Sequence, residues 1–395
     1  MEKLAIYGGK AVRDSFLIFG KPHITDQDIE EVTDTIKSGW IGFGPKSLKF
    51  ENLFKDYIGV KHAISVNSCT AALDMSLKLY GIKEGDEVIT TPITFASTAN
   101  VIVHNRAKPI FVDVVKETQN IDPEKIEAAI TSKTKAVIGV HLGGRPCDIK
   151  AISEVCNKHN LKLIWDCAHA IEAEYENKKV GSYGDIGCFS FYPTKNITTC
   201  EGGMITTNNN EITEKANVYR MQGMSKEAWK RYSAEGFTPY DVIMPGFKYN
   251  TTDLQTALGL NQLINIDNRW KVRDKIFRKY NEEFSKLDSV ITPIEEKNRH
   301  ARHLYTLMIK TEKIKTTRNE FCAALQAENI GVGIHFIALH LTKFYRENYK
   351  FGKLPNAEYI SERTLSLPLA SNLTEQDTDD VISAVKKVIK YYEKN

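Results

Sequence analysis

Apolar residues recur three and four positions apart at Ile29, Val32 and Ile36, which predicts a helix with one buried face. Thr25-Asp-Gln-Asp28 supplies its capping signal and Gly39 its stop. From residue 63 the period changes. Short apolar runs at Ala63–Val66, Glu87–Ile89, Pro109–Asp113, Ala136–Val140, Leu161–Asp166, Phe189–Phe191 and Met204–Thr206 predict seven strands. Helical segments separate them: Thr70 to Tyr80 ending at Gly81, one opening at Asp122-Pro123, and Ile149 to Cys156. Alternation of this kind predicts an α/β fold, a mostly parallel sheet with helices on both faces. Ligands of such sheets bind beyond the carboxyl ends of the strands.

After Asn261-Gln-Leu263 the helical patterns lengthen and strands become sparse. Val381, Val385, Val388 and Ile389, capped near Thr374, form the last helix. The pattern therefore divides into a large domain over residues 20–265 and a smaller α+β domain over 266–395. The N-terminal segment 1–19 is expected to pack near the smaller one.

Composition narrows the class. The chain has 395 residues, too many for one core, which stops growing at roughly 250–300. With 53 basic and 50 acidic side chains the net charge is +3, which argues against nucleic-acid or membrane-surface partners. Apolar runs fall short of the ~20 residues that cross a bilayer, and the opening MEKLAIYGGKAVRDSF does not read as a signal peptide. Seven cysteines without a C-x-x-C pair read as reduced thiols. A cytoplasmic location is expected.

Three stretches carry candidate chemistry. Asn67-Ser68-Cys69-Thr70-Ala71-Ala72 joins a strand to a helix, as an ordinary N-cap or as a phosphate cradle of backbone N–H groups. Trp165-Asp166-Cys167-Ala168-His169-Ala170 ends a buried strand. A carboxylate there either caps the next turn or holds a cationic ring nitrogen, since a lone buried carboxylate would take up a proton. In FSFYPTKNITTCEGG, Lys195 lies between two buried strands, five residues after Ser190. A lysine becomes a nucleophile when burial lowers its pKa. Carboxylate, lysine and phosphate cradle on one sheet edge are the parts that an aldehyde cofactor such as pyridoxal phosphate requires.

From about residue 20 onward the chain resembles the DegT/DnrJ/StrS family of sugar aminotransferases, in the fold-type-I group of pyridoxal-phosphate enzymes. Besides the three stretches above, the resemblance is carried by Gly39-Trp-Ile-Gly-Phe-Gly-Pro45, Gly85-Asp-Glu-Val88, Thr94 to Asn100, Gly246-Phe-Lys-Tyr-Asn250 and Ser366-Leu-Pro-Leu369. It implies a large domain with a seven-stranded, mostly parallel sheet. Lys195 would hold the cofactor as a Schiff base, Asp166 its pyridinium nitrogen, and His169 its ring or 3-hydroxyl, while Phe95 would stack on the ring. Ser68, Cys69, Thr70 and Ser190 would bind the phosphate; many members have glycine at the Cys69 position, so only its backbone carries over. Lys248 or Asn250 would reach the phosphate of a neighbouring subunit, which implies a homodimer with shared active sites.

The resemblance further implies L-glutamate as amino donor and a keto nucleotide sugar as acceptor. Gly333-Ile-His335-Phe-Ile-Ala-Leu-His340 and Arg302-His303-Leu-Tyr305 resemble segments lining the substrate cleft, although His335 and His340 also read as a structural pair in a turn. Trp229 and Arg231, in Lys226-Glu-Ala-Trp-Lys-Arg-Tyr232, offer an aromatic ring and a base suited to a nucleotide diphosphate, or equally a solvated helix face. No carboxylate–histidine cluster suggests a metal. Asp-x-x-His and Lys-Tyr-Asn resemble members that aminate C4 of a 4-keto-6-deoxy sugar. Alternatives are amination at C3 or of a keto-cyclitol, a pyridoxamine-dependent dehydratase, whose lysine position holds histidine, and a non-catalytic regulator that kept the fold.

Overall fold

The computed structural model describes residues 3–225, 241–295 and 297–393. Seven strands form the central sheet: β1 (His62–Val66), β2 (Glu87–Thr90), β3 (Lys108–Phe111), β4 (Thr134–Val140), β5 (Lys162–Asp166), β8 (Ile186–Ser190) and β9 (Gly203–Thr207). The small hairpin of β6 (Glu174–Tyr175) and β7 (Lys178–Lys179) lies outside it. Across the sheet the order is β1-β9-β8-β5-β4-β2-β3. Only β9 runs against its neighbours; the other six strands share one direction. The fold is the α/β, mostly parallel architecture that the apolar runs predict.

Alternation along β8 shows how the sequence serves both faces. Phe189 and Phe191 pack edge-on against Phe54 and Phe50 of helix Pro45–Ile58, with ring centroids 4.9 Å (Phe54–Phe189) and 5.2 Å (Phe50–Phe191) apart. Cys188 joins the core on the opposite face. Ser190 ends the strand beside Gly203 of β9. The capping box predicted at Thr25 is present, with Asp28 and Thr25 each accepting the other's backbone N–H, and Gly39 closes the helix at φ +75°.

A second sheet, β10 (Val290–Ile291), β11 (Tyr305–Ile309) and β12 (Thr364–Leu367), is antiparallel. Helices Ile266–Phe284, Arg318–Ala327 and Glu375–Tyr392 bury Phe277, Phe321, Val381 and Val388 in its core. Leu4 sits in the same core, and both carboxylate oxygens of Glu328 accept backbone N–H groups from Ala5 and Val12. The chain then runs past Ile330, bridged by Leu17, so that Gly20 lies against Thr194 beside Lys195. Among the described residues no helix is long and apolar enough to cross a membrane.

Candidate active site

The carboxyl ends of β1, β2, β4, β5 and β8 open onto one cavity of about 550 Å³. Ser68, Cys69, Thr70, Phe95, Asp166, His169, Ser190, Lys195, His303 and His335 all line it, although they span 268 positions from first to last (335 − 68 + 1). Asp166 and Ser190 are the last residues of β5 and β8, and Ser68, Cys69 and Thr70 follow the end of β1.

Ser68 caps helix Cys69–Leu79, its hydroxyl oxygen accepting the Ala71 N–H. The amides of Cys69 and Thr70 stand in the first turn, where helix N–H groups lack intrahelical partners and the helix dipole favours an anion. A side chain on Gly203 would come within 2.5 Å of the Ser68 carbonyl, so glycine is what lets β9 approach this turn. The site fits a phosphate.

Asp166 is buried, one carboxylate oxygen accepting from the Thr98 hydroxyl at 2.8 Å and the other from the Ala168 N–H at 3.0 Å. Both donors are neutral. Burial raises its pKa, only partly opposed by those hydrogen bonds and by the charge on Lys195. A cationic ring nitrogen would give this carboxylate the charge partner it lacks.

Lys195 sits in a turn that helix Asp253–Ile264 holds still. Gln262 accepts from the Thr198 N–H and donates to the Thr198 carbonyl, while Gln255 donates to the Glu201 carbonyl. Burial lowers the Lys195 pKa from its usual 10.5 to about 8, against an opposing pull from Asp166 and Cys69. At pH 7 about a tenth of the amine is therefore unprotonated and nucleophilic, far more than for a lysine at its usual value. Phe95 opens helix Ala96–His104 and is 61% exposed at the cavity, a free ring face for a flat ligand.

His169 accepts the Gly143 N–H at its Nδ1, which leaves the proton of a neutral ring on Nε2. Burial, with Lys195, His303 and His335 nearby, holds it neutral, well below the usual histidine range. His335 pairs its Nδ1 with the Ser366 hydroxyl at 2.9 Å and stacks on Phe19; burial takes its pKa to about 4. Asp166 for a cationic ring nitrogen, the Lys195 amine for an aldehyde and the Cys69 and Thr70 amides for a phosphate fit pyridoxal phosphate.

Other expected residues lie elsewhere. Tyr305 is fully buried in β11, its hydroxyl donating to Asn281, so it belongs to the small-sheet core and not to the cleft. His340 turns away to face Glu358 at 3.4 Å, from a short turn outside the cavity wall. Lys248 and Asn250 bond to one another at 2.5 Å beside the phosphate cradle, where Asn67 donates to the Lys248 carbonyl, and neither lines the cavity of its own chain. Trp229 and Arg231 lie outside the described residues. Conversely, Thr98 was not singled out, although the Thr94–Asn100 stretch contains it, and Phe19 and Phe336 add aromatic walls that no local pattern announces.

The sequence profile of the DegT/DnrJ/EryC1/StrS aminotransferase family matches residues 22–386. The chain is 47% identical to the spore coat polysaccharide biosynthesis protein SpsC of Bacillus subtilis, covering 96% of this chain and 98% of SpsC. Among solved structures, Spr1654 of Streptococcus pneumoniae in its PMP form superposes with a TM-score of 0.89 at 29% identity, over 95% of this chain and 99% of that one. A PLP form of Spr1654 also matches. PseC of Helicobacter pylori, an aminotransferase involved in the biosynthesis of pseudoaminic acid, gives 0.89 at 28% identity, over 96% and 100%. Pyridoxal phosphate is the cofactor that these findings and the cavity's charges jointly require. With the fold, the site and the match over 22–386 in agreement, this chain belongs to the DegT/DnrJ/EryC1/StrS aminotransferase family.

Proposed function

We propose that the protein moves an amino group from L-glutamate to a keto nucleotide sugar, at C4 of a 4-keto-6-deoxyhexose, for amino-sugar and polysaccharide synthesis. The observation that carries this reading is the single cavity in which Lys195, Asp166, His169, Ser190 and the Ser68–Thr70 turn meet. The likeness to SpsC and PseC supports a sugar as acceptor.

Bound pyridoxal phosphate supplies an aldehyde for amine exchange and a ring that draws off electrons. The protein does the rest. The Cys69 and Thr70 amides with the Ser68 and Ser190 hydroxyls hold the phosphate, and Phe95 covers the ring. Asp166 would keep a proton on the ring nitrogen, and His169 would offer its Nε2–H to the ring's 3-oxygen. The Lys195 amine would hold the cofactor's aldehyde and serve as the group that takes and returns a proton at the substrate carbon. Such general acid–base transfer is worth roughly 10²–10⁴-fold. Lys195 also sets this reading above a dehydratase, and the intact constellation sets it above a regulator. Residues 266–395 contribute the wall at His303 and His335 as a smaller domain. The active unit is a homodimer in which Lys248 or Asn250 reaches the partner's phosphate.

The test incubates purified protein with pyridoxal phosphate, L-glutamate and a panel of 4-keto and 3-keto nucleotide sugars, with products identified by mass spectrometry and NMR. An amine at C4 is the expected result. An amine at C3, or on a keto-cyclitol only, overturns the C4 assignment, and no amino transfer at all overturns the reading.

A further inference from the structure

His303 stands in the cavity wall behind Lys195, with its ring centroid 4.6 Å from that of His169. Its Nδ1 lies 2.9 Å from the side-chain oxygen of Asn196. That amide cannot be turned round. Its NH2 group is committed to two acceptors, the Glu172 carboxylate at 2.7 Å and the Ala301 carbonyl at 3.1 Å. Glu172 is fully buried and paired with buried Arg273, so the carboxylate is fixed as an acceptor in turn. Asn196 therefore presents its oxygen to His303, and Nδ1 of His303 must carry the proton.

The consequence is an asymmetry between two neighbouring histidines. His169 takes a backbone N–H on Nδ1 and so offers a donor at Nε2. His303 gives its proton to Asn196 and so offers a lone pair at Nε2. Both rings are held neutral by burial next to Lys195 and other cationic groups. An acceptor in this wall calls for a ligand that brings a proton. An amino acid's carboxylates bring none and would be repelled by the lone pair, while its amino group would be engaged by the cofactor's aldehyde. A sugar's hydroxyl groups do bring one, and Leu304, Ile334 and Phe336 of the same cavity offer its ring apolar contact.

We propose that the buried chain Arg273–Glu172–Asn196 is a positioning device that locks His303 as an acceptor, and that His303 binds a hydroxyl of the sugar and not the amino donor. The assignment of the hydroxyl rests on the function proposed above; the lock itself does not. Glu172, Asn196 and Arg273 act only through His303 and are positioning residues. A site built to accept a substrate hydroxyl rejects the analogue that lacks it, because the buried acceptor is then left unpaired.

Two measurements test this. In cofactor-free protein labelled with nitrogen-15 at histidine, two-bond proton–nitrogen NMR reads each tautomer, with His303→Ala and His169→Ala spectra assigning the signals. The expected result is a proton on Nδ1 of His303 and on Nε2 of His169, with the His303 preference lost in Asn196→Ala. A proton on Nε2 of His303 in the unaltered protein overturns the proposal, whatever becomes of the sugar reading. The half-reactions are then followed separately by cofactor absorbance, with L-glutamate and with the 4-keto-6-deoxy nucleotide sugar that the panel identifies. Asn196→Ala and His303→Ala should slow the sugar half-reaction about tenfold more than the glutamate one, and His303→Gln, which can keep an acceptor in place, should recover part of the loss. Equal losses in both halves overturn the hydroxyl role. Protein that reacts with glutamate but with no keto sugar overturns the sugar reading and that role together, while the tautomer result still decides the lock.

Discussion

At Lys195 the chemistry depends on one proton. An amine with its pKa near 8 is a nucleophile only when neutral, so capture of pyridoxal phosphate by cofactor-free protein should accelerate as pH rises from 6.5 through about 8, then level off. Stopped-flow absorbance across that range checks it; a rise continuing toward 10.5 would mean an ordinary exposed lysine. Lys195→Ala should abolish the visible absorbance of the lysine-bound cofactor and lower turnover by about 10⁴-fold or more, with unchanged circular dichroism. Asp166→Asn tests the other end of the ring. Removing the charge while keeping the shape should leave some cofactor bound but lower turnover by on the order of 10²–10⁴-fold, because a neutral ring is a poor electron sink. Turnover equal to the unaltered protein's would remove Asp166 from its role.

Among the elements, β9 and the helix head at Cys69 meet so closely that only a hydrogen fits between them. Gly203→Ala would push a methyl group to within 2.5–2.6 Å of the Ser68 carbonyl and the Cys69 nitrogen. The turn must then shift, and affinity for pyridoxal phosphate, measured by absorbance titration, should fall about tenfold or more, some 1.4 kcal/mol. The elements themselves were legible because each strand of the large sheet is a short apolar run, and Asp166, Ser190 and the Ser68–Thr70 turn stand at the ends of such runs. Partners joined only by folding were not. Thr98 meets Asp166 across 68 positions and Asn196 meets His303 across 107, and no local period records either contact. Sequence proximity also misled: Tyr305 stands two residues from His303, yet β11 carries it into the small-sheet core, where its hydroxyl meets Asn281. The two-residue strand β10 and the hairpin of β6 and β7 are too short to show any period.

For the whole molecule, helices 26–38 and 253–264 pack together and carry exposed apolar side chains on or beside them. Ile29, Ile36, Ile41, Leu254 and Ile264 are exposed there, Ile41 to 53% and Ile264 to 64%. Where exposed apolar side chains form one patch they mark an association face. If a second copy covers it, Ile41→Asp combined with Ile264→Asp should convert a species of twice the chain mass into one of a single chain mass in sedimentation. Cofactor affinity should fall in step, because the phosphate would lose the partner's Lys248 or Asn250. A double variant still of twice the chain mass would place the interface elsewhere. The N-terminal path has a consequence of a different kind. Phe19 and Gly20 form part of the cavity wall, yet their segment is fastened to Ile330, and the wall continues through His335, which stacks on Phe19 and is held by Ser366, to Leu369. On the ribosome the first of these wall residues is made about 350 positions before the last (369 − 19). At roughly 5–20 residues per second that interval lasts tens of seconds, during which the large sheet can form but the cofactor's cleft cannot close. Closure of the cleft around pyridoxal phosphate thus waits for the segment that ends at Leu369, and a nascent chain stalled before residue 366 would carry Lys195 and Asp166 in an open, water-filled edge.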